Sequence, residues 1–150
     1  YATLTREALR PLIATIPAGR ILDGLIAKHV LVWESVPGPT MDYDGPIING
    51  PILIPHGAPA DRAFTMLPPR GIIPWYYFSD QWSTTDRDMI ALFAHFDRIG
   101  VDYSLDRVDG VFLASVTEDA LAIADTRPLA FARAALLWGC SGGGHHARRS

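Results

Sequence analysis

Apolar residues recur at helical spacing in two stretches of the first third of the chain. The N-terminal stretch predicts a short helix with Thr3 or Thr5 as its cap, and the break at Pro17-Ala18-Gly19 ends it. The second stretch predicts a helix over 21–33, with its polar residues left for solvent. The apolar positions that carry these predictions are Ala8, Leu9, Leu12 and Ile13, then Ile21, Leu22, Leu25, Ile26, Val30 and Trp33.

Two later helices carry clear start signals. Ser83, Thr84 and Thr85 offer N-caps for the first of them, and Gly100 is its expected stop. For the second, Thr126 precedes Pro128, and proline is favoured in a first helical turn. The apolar faces are Met89, Leu92, Phe93, Phe96 and Ile99 in one helix and Leu129, Ala132, Leu136 and Leu137 in the other.

The segment between these two helices has the pattern of a β-hairpin. Residues 101–105 alternate between apolar and polar types, Asp109-Gly110 is a tight-turn signal, and 111–116 supplies the returning strand. Residues 121–124 fit a strand and a helix equally well. The aromatic run 75–78 is typical of a strand.

Nine prolines between residues 36 and 74 exclude a long helix there. The short apolar pieces 47–48 and 52–54 predict edge strands, where a missing N–H is tolerated. We interpret 34–74 as a proline-rich insertion that folds over the domain or reaches a neighbouring subunit. The expected fold class is therefore α+β: one domain over 1–140, this insertion within it, and a flexible tail over 141–150.

Composition narrows the possible functions. A chain of 150 residues with 49% hydrophobic and 19% charged residues is typical of a globular domain. Its net charge of −3 argues against a protein that coats duplex nucleic acid. The single cysteine, Cys140, and the absence of a signal-peptide pattern or an apolar run of ~20 residues indicate a cytoplasmic protein outside the membrane.

Three separated blocks of the sequence resemble the phage ABA-sandwich domain family, small phage proteins with a sheet held between helices. The resemblance implies an αβα sandwich, an infected bacterial cytoplasm and an accessory role in infection, and it supplies no catalytic residues. The matching blocks are Leu22-Asp23-Gly24-Leu25-Ile26-Ala27-Lys28 with Val30 and Trp33, then Trp82-Ser83-Thr84-Thr85-Asp86, then Asp125-Thr126-Arg127-Pro128-Leu129-Ala130 with Arg133-Ala134-Ala135-Leu136.

One group of residues has the chemistry of a nucleotide site. Aromatic faces stack on bases, helix N-termini offer free N–H groups to phosphate, and arginine binds phosphate through two parallel hydrogen bonds. The predicted ligand-binding residues are Trp75, Tyr77, Trp82, Ser83, Thr84, Arg87 and Arg127. The alternative is that the aromatic residues are core and that Ser83–Thr85 only cap a helix. Asp80, Asp86 and Asp88 also disfavour phosphate nearby.

Other chemistries have weaker support in the sequence. His29, His56 and His95 lack metal-ligand spacing, so no metal or other cofactor is expected. Cys140 precedes a glycine-rich tail without a nucleophile-elbow context, which disfavours covalent catalysis. A hydrolase that uses histidine and aspartate would require those side chains to converge.

Four tryptophans and further aromatic residues instead favour association, and we expect a homo-oligomer. Our hypothesis is a non-enzymatic phage protein that sequesters a small nucleotide-derived immune signal of the host. The alternative is a protein-binding module that inhibits a host or phage partner.

Overall fold

Helices lie at both ends of the described part of the chain, and one further helix separates the two groups of strands between them. The structure is a computed structural model, and it describes residues 4–32, 34–42, 47–54, 64–65, 72–74 and 81–143. The helical elements are α1 (Arg6–Leu9), a 3₁₀ helix (Arg10–Thr15), α2 (Arg20–His29), α3 (Asp86–Ile99), α4 (Arg127–Trp138) and a short π-helical segment (Gly139–Gly143). The strands are β1 (Glu34–Asp42), β2 (Ile47–Ile54), β3 (Phe64–Thr65), β4 (Ile72–Pro74), β5 (Tyr103–Val108), β6 (Val111–Val116) and β7 (Ala120–Ala124). The chain thus has the α+β composition that its pattern predicts.

Most helix boundaries follow the predicted signals. The hydroxyl oxygen of Thr5 accepts a hydrogen bond from the N–H of Ala8 and caps α1. Gly100 ends α3 in the left-handed region, with φ 74°, as its position predicts. The predicted helix over 21–33 is wrong at its end, because α2 stops at His29 and Val32 adopts a positive φ of 55° that a helix does not contain.

The hairpin and the ambiguous segment after it form one antiparallel sheet, in the order β5-β6-β7. Asp109 and Gly110 both have positive φ, which is the conformation of a two-residue hairpin turn. The segment 120–124 is a strand, since Ala120 pairs with Val116 and Ala124 pairs with Phe112.

The two faces of this sheet differ. The inner face carries buried residues such as Ala114, Val116 and Ala120. The outer face carries Val108, Leu121 and Ile123, which are 44%, 54% and 59% exposed.

Strands β3-β2-β1-β4 form a second antiparallel sheet. Within it β1 pairs with β2 over eight residue pairs, from Glu34↔Ile54 to Met41↔Ile47. The prediction of edge strands is therefore wrong for 52–54, because Ile52 and Leu53 pair with β1 on one side and with β3 on the other. The aromatic run 75–78 and tail residues 144–150 lie outside the described residues.

Helix α4 is the centre of the core. It packs against β6 and β7 and against α2 and α3. Phe96 and Trp138 meet edge to face at 5.1 Å between ring centroids, and Phe93 and Phe131 do so at 4.6 Å. At Gly139 a Cβ would lie 2.6 Å from the carbonyl oxygen of His29, so glycine is needed where α2 and α4 approach each other.

No helix in the described ranges is long and apolar enough to cross a bilayer.

Candidate functional site

The segment before α3 is bound to the start of α2 by a buried hydrogen-bond network. The N–H of Ser83 donates to Oδ1 of Asp23 at 2.8 Å. The Ser83 hydroxyl oxygen accepts from the N–H of Gly19 at 2.9 Å and donates to the Gly19 carbonyl at 3.3 Å. Ser83 is fully buried and Trp82 is 3% exposed within the core. Ser83 therefore links the segment before α3 to the start of α2, Trp82 belongs to the core, and neither of these two predicted ligand residues faces solvent.

The side chains of Thr85 and Asp88 cap the N-terminus of α3 through hydrogen bonds. The Thr85 hydroxyl oxygen accepts from the N–H of Asp88 at 3.3 Å and donates to the Gln81 carbonyl at 3.2 Å. In return, Oδ2 of Asp88 accepts from the N–H of Gln81 at 2.7 Å. This arrangement occupies the N–H group of Asp88 in the first turn of α3, which is then not available to an anion.

The charge at the start of α3 is also negative. Burial alone would raise the pKa of Asp88, but the hydrogen bond from the Gln81 N–H and the adjacent Arg87 guanidinium lower it. Arg87 lies 3.2 Å from Asp88 and its side chain is 85% exposed, and Thr84 is exposed on the same turn. An ionised Asp88 beside the exposed Asp86 makes this turn unfavourable for phosphate.

A separate open groove lies between α3, β5 and the start of α4. Its volume is about 500 Å³. The Arg127 guanidinium stands 4.8 Å from the ring centroid of Phe112 at one side of it, and pairs with no carboxylate among the residues that the structure describes. The groove is lined by Asp86, Met89, Ile90, Phe93, Tyr103, Ser104, Leu105 and Arg127.

Two aromatic rings form part of this groove. Phe93 and Tyr103 stack with centroids 4.8 Å apart and an interplanar angle of 12°. The Tyr103 hydroxyl donates to Oδ1 of Asp97 at 3.0 Å, which fixes the orientation of its ring. The groove thus combines a cation held over one ring, a fixed aromatic pair and an exposed apolar residue, Ile90, which is 57% exposed.

The predicted ligand residues are therefore distributed over several places. Arg127 lines the groove, Trp82 and Ser83 are buried, and Thr84 and Arg87 lie exposed at the start of α3. Trp75 and Tyr77 lie outside the described residues. The sequence analysis missed Phe93, Tyr103 and Ile90 as lining residues. The sequence does contain a signal for Ile90. It is a large aliphatic residue that lies off the apolar face of α3, a position where a polar residue is expected.

Burial favours the uncharged forms of His29, His95 and Cys140. Burial, with the nearby charges of Lys28 and Arg6, lowers the pKa of His29 to about 4. Burial and the charge of Arg98 lower the pKa of His95. Burial raises the pKa of the Cys140 thiol to about 11, so little thiolate exists near neutral pH. Over the described ranges, no three His, Cys, Asp or Glu residues come together as metal ligands.

Comparison with known proteins matched the chain to no family model, no curated protein and no solved structure. The resemblance to the phage ABA-sandwich family accordingly stays a prediction.

Proposed function

We propose that this chain is a non-catalytic binding protein that holds a small nucleotide-like anion in the groove between α3, β5 and Arg127. The observation that carries the proposal is that one groove contains a stacked aromatic pair and the Arg127 guanidinium, which has no carboxylate partner among the described residues. Arginine binds phosphate through a planar fork of donors, and an aromatic ring offers a face or an edge to a base.

The dimensions and charges of the groove favour a compact ligand. Its volume of about 500 Å³ lies within the range of small-molecule sites. Asp86 also lines it, and a carboxylate accepts hydrogen bonds from ribose hydroxyls while it repels phosphate. A ligand with few phosphates, with its sugar towards Asp86 and its phosphate towards Arg127, satisfies both side chains.

The biological part of the proposal rests on the resemblance alone. A phage protein that retains a nucleotide-derived host signal without altering it would suppress a host defence, and this role requires tight binding and no turnover. The αβα sandwich, closure of the groove by the 34–74 segment and assembly into a homo-oligomer belong to the same proposal. Binding at the groove requires none of them.

The first test is retention of nucleotides by the purified protein. The protein is mixed with a panel of linear and cyclic nucleotides, washed and heat-denatured, and the released compounds are identified by mass spectrometry. We expect an unaltered nucleotide, and we expect Arg127→Gln to weaken its binding about tenfold through loss of a charge-assisted hydrogen bond.

Arg98→Gln is the matched control, because it removes the same charge from an exposed position of α3 outside the groove lining. Equal affinity of the Arg127→Gln protein and the unchanged protein would remove the groove from the proposal. Recovery of a chemically altered nucleotide would instead make the protein an enzyme.

A further inference from the structure

Strand β5 is an edge of the three-stranded sheet, and its free side faces the groove that contains Arg127. The order β5-β6-β7 gives β5 one strand partner, β6, in the described part of the chain. Tyr103, Ser104 and Leu105 of β5 line this groove together with residues of α3. One wall of the groove is therefore the main chain of a sheet edge.

The register of the sheet decides which backbone groups of β5 face the groove. In an antiparallel ladder, pairs of opposite residues that exchange both hydrogen bonds alternate with pairs that exchange none. The N–H of Thr117 donates to the carbonyl of Asp102 at 2.8 Å, and the register continues this alternation to Ser104. Asp102 and Ser104 therefore bond towards β6, whereas the N–H and C=O groups of Tyr103 and Leu105 point away from it.

These outward groups are available to a ligand. Among the residues that the structure describes, no other strand or loop hydrogen-bonds to the N–H or C=O of Tyr103 or Leu105. On an extended strand the N–H and C=O of one residue lie on the same side, so each residue presents one donor beside one acceptor. Backbone groups of this kind fix the orientation of small molecules in pockets.

The edge of a nucleobase has the complementary pattern. Adenine, for example, carries the N6 amino donor beside a ring nitrogen that accepts. Proteins bind unpaired bases through hydrogen bonds to such edges while aromatic side chains contact the faces of the bases. Ribose 5-phosphate carries the same anion without this planar edge, so the two kinds of ligand can be distinguished.

The position of Arg127 selects Leu105 of the two outward residues. Arg127 stands over Phe112, which pairs with Arg107 of β5. Leu105 is two residues from Arg107, roughly 7 Å along the strand, whereas Tyr103 is roughly 14 Å from it. A mononucleotide whose phosphate lies at Arg127 therefore reaches the main chain of Leu105 with its base.

We infer that the N–H and C=O of Leu105 hydrogen-bond to the base of the bound nucleotide. The inference rests on the proposed function, and it narrows the ligand to a nucleotide whose base keeps a free donor beside a free acceptor. All four common bases have such an edge. The groove therefore requires a base and does not select one base by this contact.

The first test compares ligands of the unchanged full chain by isothermal titration calorimetry. AMP, CMP, GMP and UMP should each bind at least about fivefold more tightly than ribose 5-phosphate. N6,N6-dimethyl-AMP should bind about fivefold less tightly than AMP, because methylation removes the amino donor that both hydrogen-bonding edges of adenine use. This comparison does not depend on the folding of any variant.

A proline at position 105 tests the same contact from the side of the protein. Leu105→Pro removes an N–H that does not bond to β6, at an edge position where proline is tolerated. Leu105→Ala is the matched control, since it shortens the side chain and keeps the N–H. The proline variant should bind AMP about fivefold less tightly than the alanine variant, and the two should bind ribose 5-phosphate equally.

Ile123→Pro controls for the effect of proline on the sheet. Ile123 lies in the opposite edge strand, β7, where the register also directs its N–H away from β6. This variant should bind AMP as the unchanged protein does, because β7 does not line the groove that contains Arg127.

Equal affinities of AMP and N6,N6-dimethyl-AMP would overturn the inference, and so would equal AMP affinities of the Leu105→Pro and Leu105→Ala proteins. The proposed function would stand in either case if Arg127→Gln still weakens the binding of AMP. Binding of none of the four nucleotides would overturn both the inference and the proposed function.

Discussion

Helices α3 and α4 begin in the same way and are used differently. Thr85 accepts a hydrogen bond from the N–H of Asp88, and Thr126 accepts one from the N–H of Leu129, each at 3.3 Å. Before α3, however, Ser83 is buried and bonded to α2, whereas the residues before α4 are exposed and Arg127 lines an open groove. The same local capping pattern thus anchors one helix within the fold and leaves the other accessible to a ligand.

The largest effect should come from the buried anchor of α3. Trp82→Ala removes a core side chain that is 3% exposed, and we expect it to lower the free energy of unfolding by ~3–5 kcal/mol. Urea denaturation followed by circular dichroism measures this loss. Ile90→Ala, at a residue of α3 that is 57% exposed, should cost far less. Similar losses of unfolding free energy in the two variants would show that the segment with Trp82 does not anchor α3 to the core.

A smaller effect should come from protonation of His29. This residue is the last of α2, the helix whose Asp23 accepts the hydrogen bond from Ser83. Because the pKa of His29 is about 4 in the folded protein and 6.5 in the unfolded chain, the unfolded chain binds a proton first as the pH falls. The contribution of His29 to stability should therefore be constant above pH 6.5 and decrease between pH 6.5 and 4, by about 3 kcal/mol in all.

The lowered pKa of His95 acts in the same direction. Asp88 does not contribute in this range, because its pKa is below 3.8 and its contribution is lost only at lower pH. Urea midpoints at several pH values test the prediction, and His29→Gln should flatten the dependence. An unchanged midpoint from pH 7 to pH 4.5 would contradict the burial of a neutral His29.

The elements with local signals could be predicted from the sequence. Capping threonines, Gly100 and the Asp109-Gly110 turn act through backbone geometry within a few residues, so α3, α4 and the hairpin were predicted close to their observed bounds. The end of α2 was predicted wrongly. Apolar residues continue at helical spacing after His29, although the helix ends there. Residues 120–124 form a strand because they pair with β6, and the local sequence pattern does not contain this tertiary contact.

The candidate site was harder to predict, because residue type does not report burial. Trp82 and Ser83 have the chemistry of ligand residues, and only the position of Asp23 on α2 shows that Ser83 has a partner within the fold. Arg127 was predicted, since a cation at the start of a capped helix is visible in the sequence. Its neighbours Phe93 and Tyr103 come from a helix and a strand that meet only in the folded chain.

The smallest predicted effect separates the two helix starts most directly. Thr126→Ala removes one capping hydrogen bond at an exposed position and should cost about 1 kcal/mol. Thr85→Ala removes the equivalent bond and also the bond from the Thr85 hydroxyl to the Gln81 carbonyl, which helps to hold the segment that contains Trp82 and Ser83. Its cost should therefore be larger, at about 2 kcal/mol.

Serine variants at both positions are the controls, because serine keeps the hydroxyl and should restore most of each loss. The two threonines should differ, because only Thr85 also bonds to the segment that contains the buried Trp82 and Ser83. Equal losses for Thr85→Ala and Thr126→Ala would mean that the cap alone accounts for both, and that the network between α2 and α3 adds nothing to the start of α3.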